Sequence, residues 1–423
     1  MKNILNKIKN ELLTIYIAIN ILYIFIFSYL VIICKFKYIL FGRSLIYAFI
    51  LNLIVSIITL VYYKFFKKKY KLKICDILLV VITILLIISL MFAVNFKVAL
   101  YGSTNRYEGI FALLYYLSLF FLCSFINKDS KKIIAYIIIL TGVFQGVFAL
   151  LQITQSPMVD TVKFMDQIWA IGFTNNPNFL GSYMLLCLSI TYGLLYTEKK
   201  TFTKLILFLI SIILLSGLIV SNTLSCLVGL VGVLILLLVY SVKKKQYKEF
   251  ILIVFTVGFL LYFFQVGELT NLLNDVVKTT DESVEITKGN VSGDFGTKRI
   301  EIWKKTLKIV PKYWLHGVGI DSFLLAFGDG PLYIKNLIYD KAHNEYLQIL
   351  VTEGVFTLIS YLSLYGIVVL DGLKKMFKKD NLCFLLPVVG YLIQAFFNIS
   401  VIEVAPIFFI TLGLLVERRK INE

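Results

Sequence analysis

The chain has 423 residues, 59% of them hydrophobic and only 16% charged, and its uncharged runs are longer than a water-soluble core can absorb. The formal net charge is +17, but the lysines cluster between apolar runs, so the charge reads as a topology signal and a complement to anionic lipid headgroups; a nucleic-acid partner is not expected. Six scattered cysteines without a C-x-x-C pair and only two histidines argue against a disulfide framework or a zinc site, and with no Walker motif or dinucleotide fingerprint no cofactor is expected.

A hydrocarbon core of roughly 30 Å takes about 20 apolar helical residues. In chain order, spans are predicted near 13–33, 44–63, 77–96, 109–126, 133–153 and 179–197. The first follows Lys2, Lys7 and Lys9, as in a signal peptide, but it is too long and lacks a small-residue cleavage site. The run 205–242 holds 38 uncharged residues, about 57 Å as one helix, so it must reverse. Ser221, Asn222 and Thr223 mark the reversal, giving spans at 203–220 and 224–241. A ninth span falls at 250–266 and a tenth at 346–370; the run 381–416 reverses near 398–402 into an eleventh and a twelfth.

The expected fold is therefore an all-α integral membrane protein of about 12 transmembrane helices in one structural domain. Residues 1–266 carry spans one to nine, 267–345 form a large extracytoplasmic loop, and 346–423 carry the last three spans and a cytoplasmic tail. With both termini cytoplasmic, the cytoplasmic stretches hold 26 of the 42 lysines and arginines and the short outer loops only six, as the positive-inside rule requires of a multi-pass protein of the cell membrane.

The long loop has ten basic and eleven acidic side chains. Its first part, 275–295, is polar and reads as flexible. In its second part Ile300, Trp303, Leu307 and Val310 recur at helical spacing with Lys304, Lys305, Lys308 and Lys312 largely off that stripe. This predicts an amphipathic helix on the outer leaflet, ending near Pro311. A glycine turn follows at His316–Gly319, and Ala342, His343, Asn344 and Glu345 lead into the tenth span.

His343, at the water edge of that span, fits two roles: an interfacial helix cap, or a base that takes a proton from a hydroxyl nucleophile. Arg299 can anchor to headgroups or pair with a diphosphate through its planar fork. Arg106 and Glu108 stand where an outer loop enters the fourth span and are placed to pair with each other. Among Asn175, Asn176 and Asn178, helix capping accounts for one amide, and the others suit sugar hydroxyls. Glu353 and Glu403 are costly in lipid and should face a wet cavity or a partner. His316 is assigned to structure.

The segments RYEGIFALLYY (106–116), GFTNNPNFLGSYMLL (172–186), RIEIWKKTLKIVPKYWLHGVGIDSF (299–323) and AHNEYLQILVTEGVFTLISYL (342–362) together resemble the O-antigen ligase and polysaccharide polymerase family. The resemblance implies a multi-helix membrane glycosyltransferase fold. Such a protein moves a glycan from a polyprenyl-diphosphate carrier to a hydroxyl on a glycan, lipid or cell-wall acceptor outside the cytoplasm, without nucleotide sugar or metal. Taken with the residue readings above, the expected catalytic residues are His343 and Arg299, and the expected substrate-binding residues are Arg106, Glu108, Asn176, Asn178, Asn344, Glu345 and Glu353. His343, Asn344 and Gly354 match the ligase pattern, but Thr357 stands where a second glycine is expected. No arginine opens the eighth span, which offers Asn222, Thr223 and Ser225 instead. The rival class is a flippase or other transporter, whose inverted repeats have no counterpart between the halves of this chain.

Overall fold

The computed structural model describes residues 2–35, 37–66, 72–104, 106–156, 162–164, 167–264, 299–328, 332–334, 337–377, 381–416 and 418. The helices are α1 (Lys2–Ile32), α2 (Tyr38–Val61), α3 (Ile74–Met91), α4 (Phe96–Tyr101), α5 (Ile110–Cys123), α6 (Lys128–Ile153), α7 (Pro177–Thr197), α8 (Thr201–Val220), α9 (Leu224–Lys244) and α10 (Tyr247–Phe263). They continue, after an interval, as α11 (Arg299–Tyr313), α12 (Glu345–Glu353), α13 (Val355–Lys375), α14 (Leu382–Gln394) and α15 (Ala405–Leu415). Two three-residue antiparallel hairpins interrupt the helices, β1 (Val162–Phe164) with β2 (Gln167–Trp169) and β3 (Leu332–Ile334) with β4 (Leu337–Tyr339).

Among the described residues eight helices are long and apolar enough to cross a membrane, and three apolar helices are shorter. The outer faces of α1, α2, α3, α8 and α10 expose large apolar side chains such as Ile58, Val80, Phe202 and Phe255. Lipid, which imposes no penalty on such surface, is the solvent they fit. α7 differs: every residue from Phe179 to Tyr196 is buried, the condition of a helix that is apolar all round and enclosed by others. It packs against α6, α8, α9 and α14 and forms the centre of the bundle. Its start is set locally, because the Asn176 side chain accepts from the Asn178 N–H and Pro177 occupies the first turn, where its missing N–H costs nothing.

The reversals sort to two ends. At one end Tyr38 donates to Glu403 (2.9 Å), Ser400 to Glu108 (2.5 Å), Val94 N–H to Val318 O (3.0 Å) and Arg106 to Asp340 (2.7 Å). Loops that alternate along the chain thus meet in space. At the other end Arg418 pairs with Asp76, Lys132 with Glu198 (2.5 Å) and Lys204 with Glu249 (2.8 Å). The expected reversal at 221–223 lies between α8 and α9, and that near 398–402 between α14 and α15. The polar stretch 275–295 lies outside the described residues.

The tenth span is not one helix. Gly354, at φ +93°, separates α12 from α13. A broken helix frees backbone groups that lipid cannot satisfy, so it persists only where protein supplies partners. Here the glycine turn supplies them: Val318 N–H donates to Val351 O (2.8 Å), Gly319 N–H to Thr352 O (3.1 Å), and Val355 N–H to Trp314 O (2.7 Å). The backbones approach so closely that a Cβ on Gly354 would lie 2.3 Å from Leu315 O, and one on Gly317 2.2 Å from Thr352 O. His316 closes this turn with its ring stacked on Phe92 at 4.8 Å, a structural role as expected.

The amphipathic helix α11 is present, but its buried stripe is rotated from the expected one. Ile302 and Thr306 are fully buried and Leu307 is exposed. The helix rests on protein, α12 above all, and the Trp303 indole donates to Ala342 O (3.0 Å). The stripe that faces a neighbour is chosen by that neighbour and not by the lysine-free side of the helix.

A substitution pair tests the break in the span. Gly354→Ala forces a β-carbon into a positive-φ site and against a carbonyl, and should lower stability by about 2–4 kcal/mol. Gly366→Ala, in the same span with open space around it, should leave stability unchanged or raise it by about 0.5–1 kcal/mol. Thermal unfolding in detergent reads both.

Candidate active site

Three chain segments converge at the loop-rich end: the turn that opens α5, the stretch after the glycine turn, and the stretch that opens α12. The first brings Arg106 and Glu108, the second Asp321, and the third Asp340, Lys341 and His343. Lys341 is 3% exposed, and its ammonium lies 2.8 Å from Asp321 and 3.0 Å from Glu108. Burial alone would drive this lysine towards its neutral form, but the two carboxylates outweigh burial and raise its pKa. Asp321 also accepts the Ser103 N–H (2.6 Å), and Glu108 accepts from Ser400 (2.5 Å) and Tyr116 (3.3 Å).

Arg106 and Glu108 do not pair with each other, contrary to expectation. Arg106 makes a two-pronged bond to Asp340 (2.7 and 2.9 Å), with its guanidinium 5.6 Å from the centre of the Phe179 ring. The reason is geometric: Tyr107 between them has φ +53°, which turns the backbone so that the two side chains serve different partners. Burial opposes ionisation of Asp340, yet the guanidinium beside it holds its carboxyl below the usual range.

Below this layer lies a cavity of about 40 Å³ lined by Glu108, Asp321, Lys341, Glu345, Gln348 and Glu353, room for water and not for a sugar ring. Glu345 accepts from the Tyr391 hydroxyl (3.0 Å), and Glu353 keeps one oxygen without a partner. Glu353 thus lines a cavity, while Glu403 accepts from the Tyr38 hydroxyl (2.9 Å). Both Glu345 and Glu353 are buried and line that cavity.

Asn344 caps α12 by accepting the Leu347 N–H (3.0 Å). Asn176 caps α7, while the Asn178 backbone carbonyl accepts from Ser182 and from Asn398. The cap reading of His343 therefore passes to its neighbour. His343 itself is half-buried, at φ +50°, with its ring edge-on to Tyr339 at 6.0 Å. Its ring makes no hydrogen bond among the described residues. Everything around it is tied: Ala342 N–H donates to Gln348 (2.8 Å) and Ala342 O accepts from Trp303 (3.0 Å).

Burial lowers the pKa of His343 to about 4, the Arg299 and Arg106 charges add to the effect, and Asp340 opposes it. The imidazole is thus neutral at physiological pH, with a lone pair available. Arg299, at the start of α11, is largely buried, its Nε has no hydrogen-bond partner, and burial lowers its pKa. The Cys226 sulfhydryl in the first turn of α9 lies within its electrostatic reach. A desolvated guanidinium with no carboxylate bonded to it among the described residues is the arrangement of a site for an anion.

The sequence reading missed Asp321, Asp340 and Lys341. The available signal was the charged pair Asp340–Lys341 just ahead of His343, but partners from twenty to more than two hundred residues away leave no periodicity to detect.

Modification by diethyl pyrocarbonate, followed by mass spectrometry at each of the two histidines, checks the state of the ring. His343 should react at a rate that stays level from pH 8 down to pH 6 and falls with a midpoint near pH 4. A midpoint near 6.5 would mean that the ring is solvated and remote from the guanidiniums.

No curated protein matches the chain. Residues 181–362, from α7 into α13, match the family described as O-antigen ligase. With the apolar helices, that match supports a membrane glycan ligase or polymerase. The matched residues, which include Arg299, Lys341, His343 and the broken span, are similar to the O-antigen ligase family.

Proposed function

We propose that this protein joins a glycan carried on a polyprenyl diphosphate to an acceptor hydroxyl at the outer face of the cytoplasmic membrane, as a polysaccharide polymerase or a ligase. The observation that carries the reading is the presence of a neutral His343, whose ring makes no hydrogen bond among the described residues, within electrostatic reach of Arg299, whose buried Nε has no hydrogen-bond partner among them. His343 takes the proton of the acceptor hydroxyl, the oxygen forms a bond to the anomeric carbon of the donor, and the bond from that carbon to the phosphate oxygen breaks. The electron pair leaves with the polyprenyl diphosphate, whose charge Arg299 stabilises.

The start of α9 supports the same placement. Its N-cap, Thr223, makes no side-chain capping bond and no acidic side chain occupies the first turn, so the positive end of the helix dipole is uncompensated. Ligases of this family carry an arginine there, where this chain has Asn222, Thr223 and Ser225. Arg299 brings a guanidinium to that helix start from α11 instead, and a diphosphate between the two would also relieve the charge that depresses the basicity of His343. Arg106, already paired with Asp340, is left with a supporting role. Both termini are assigned to the cytoplasm, which puts the loop-rich end outside.

Purified protein supplied with lipid-linked oligosaccharide extracted from the source cells, and with no other acceptor, should yield a ladder of longer lipid-linked chains if it is a polymerase. If it is a ligase, transfer should appear only once an acceptor is added. His343→Ala should abolish product in either case, and Arg299→Ala should lower the rate about 10²-fold or more. Product at the wild-type rate from His343→Ala would sink the assignment.

The orientation has its own probe. Cys34 is exposed in the turn between α1 and α2, and the other five cysteines are buried. A membrane-impermeant maleimide should label intact cells at Cys34; labelling only after the membrane is opened would invert the topology.

A further inference from the structure

Lys341 reaches no solvent that a substrate could occupy, and both carboxylates beside it are already engaged with it, so it cannot take part in the chemistry directly. Buried ion pairs are also poor sources of stability, because desolvation offsets most of the attraction. What singles this cluster out is its coincidence with strained backbone. Seven described residues other than glycine have positive φ, and three of them lie here: Tyr107 between Arg106 and Glu108, Asp321 itself, and His343 two residues after Lys341. Each such residue costs about 1–2 kcal/mol. Strain of this kind persists only where the surroundings over-determine it.

The over-determination is visible residue by residue. Asp340 is clamped by two bonds from Arg106, Lys341 by two carboxylates on two other segments, and Ala342 through both its N–H and its carbonyl. Asn344 is committed to the cap of α12. Among the described residues, His343 is the one polar side chain in the stretch 340–344 without a fixed partner. The clamp therefore fixes a backbone and releases a ring. It also anchors that backbone to elements outside the loop: to the opening of α5 through Glu108 and, through Asp321, to the glycine turn that fills the broken span.

We infer that Lys341, with the Arg106–Asp340 pair beside it, is the positioning device for the candidate base, holding His343 in its left-handed backbone conformation with the imidazole unbonded and facing the acceptor. The inference rests on the reading of His343 as the base. It assigns Lys341, Asp321 and Asp340 a part in the reaction that acts through His343 and not through substrate.

The test compares the wild type with Lys341→Met and with the triple variant Lys341→Met, Glu108→Gln, Asp321→Asn. The triple variant removes the charge set together, leaves no orphaned buried ion, and so keeps the fold accessible if the single variant fails to fold. Transfer is assayed with lipid-linked oligosaccharide from the source cells, and His343 is probed in parallel by diethyl pyrocarbonate. A folded variant should lose tenfold to a hundredfold in kcat, the loss expected of a base displaced by about 1 Å, with KM for the donor within about twofold.

The midpoint of His343 modification should also rise towards 6.5, although Lys341 is not among the charges that set it, because the ring will have left its half-buried position. A kcat within about twofold of wild type, together with an unmoved midpoint, would overturn the inference while an inactive His343→Ala upheld the base. Conversely, an active His343→Ala would remove the base, and the midpoint alone would then decide whether Lys341 fixes the histidine.

Discussion

One buried ammonium holds the functional end of this protein together. Lys341 is shared by Glu108 and Asp321 at 3.0 and 2.8 Å, and these three residues belong to segments that no local structure connects. Glu108 stands at the entrance to α5 and also receives Ser400 from the turn between α14 and α15. Asp321 follows the glycine turn that lies against the break at Gly354. Lys341 precedes α12, so the broken span, the turn that opens α5 and the last helix pair are referred to one point. Removing that charge would leave two buried carboxylates without compensation, a cost of about 3–5 kcal/mol.

The site is electrically divided. The guanidiniums of Arg299 and Arg106 both act on the half-buried imidazole of His343. Beside Lys341 lie the carboxylates of Glu345 and Glu353 around a cavity sized for water. On the proposed function, a diphosphate would be drawn to the first region and repelled by the second. The broken span contributes to the same end, because interrupting the helix at Gly354 lets α12 place Asn344 as a cap and His343 just outside it.

Much of this was legible in the chain. Apolar runs of about twenty residues are long enough for a hydrocarbon core, and the helices fall where those runs are, with the reversal at 221–223 where three polar residues interrupt the longest of them. His343 at the edge of the tenth span, Arg299 at the head of an amphipathic helix and the glycine turn were all visible as residues in unusual company. The stripe of α11 was misread, with Leu307 outward and Ile302 inward, because the side of a helix that faces protein depends on a neighbour the sequence does not name. Arg106 and Glu108 were expected to pair for the same reason: adjacency in sequence says nothing of the backbone turn at Tyr107 that separates them.

The sequence by itself determined the solvent, the positions of the helices, the segregation of lysine and the residue types available for glycan transfer, since each of these depends on composition and spacing over a few turns of chain. Tertiary structure alone decided that the tenth span is broken and closed by a loop, and that Lys341 is the shared cation. It also decided that Arg299 lies near the start of α9 and that His343 keeps a free ring. These are contacts between segments scores or hundreds of residues apart, and in a low-dielectric interior the energy of a charge depends on what lies within a few ångströms of it, which only the folded chain specifies.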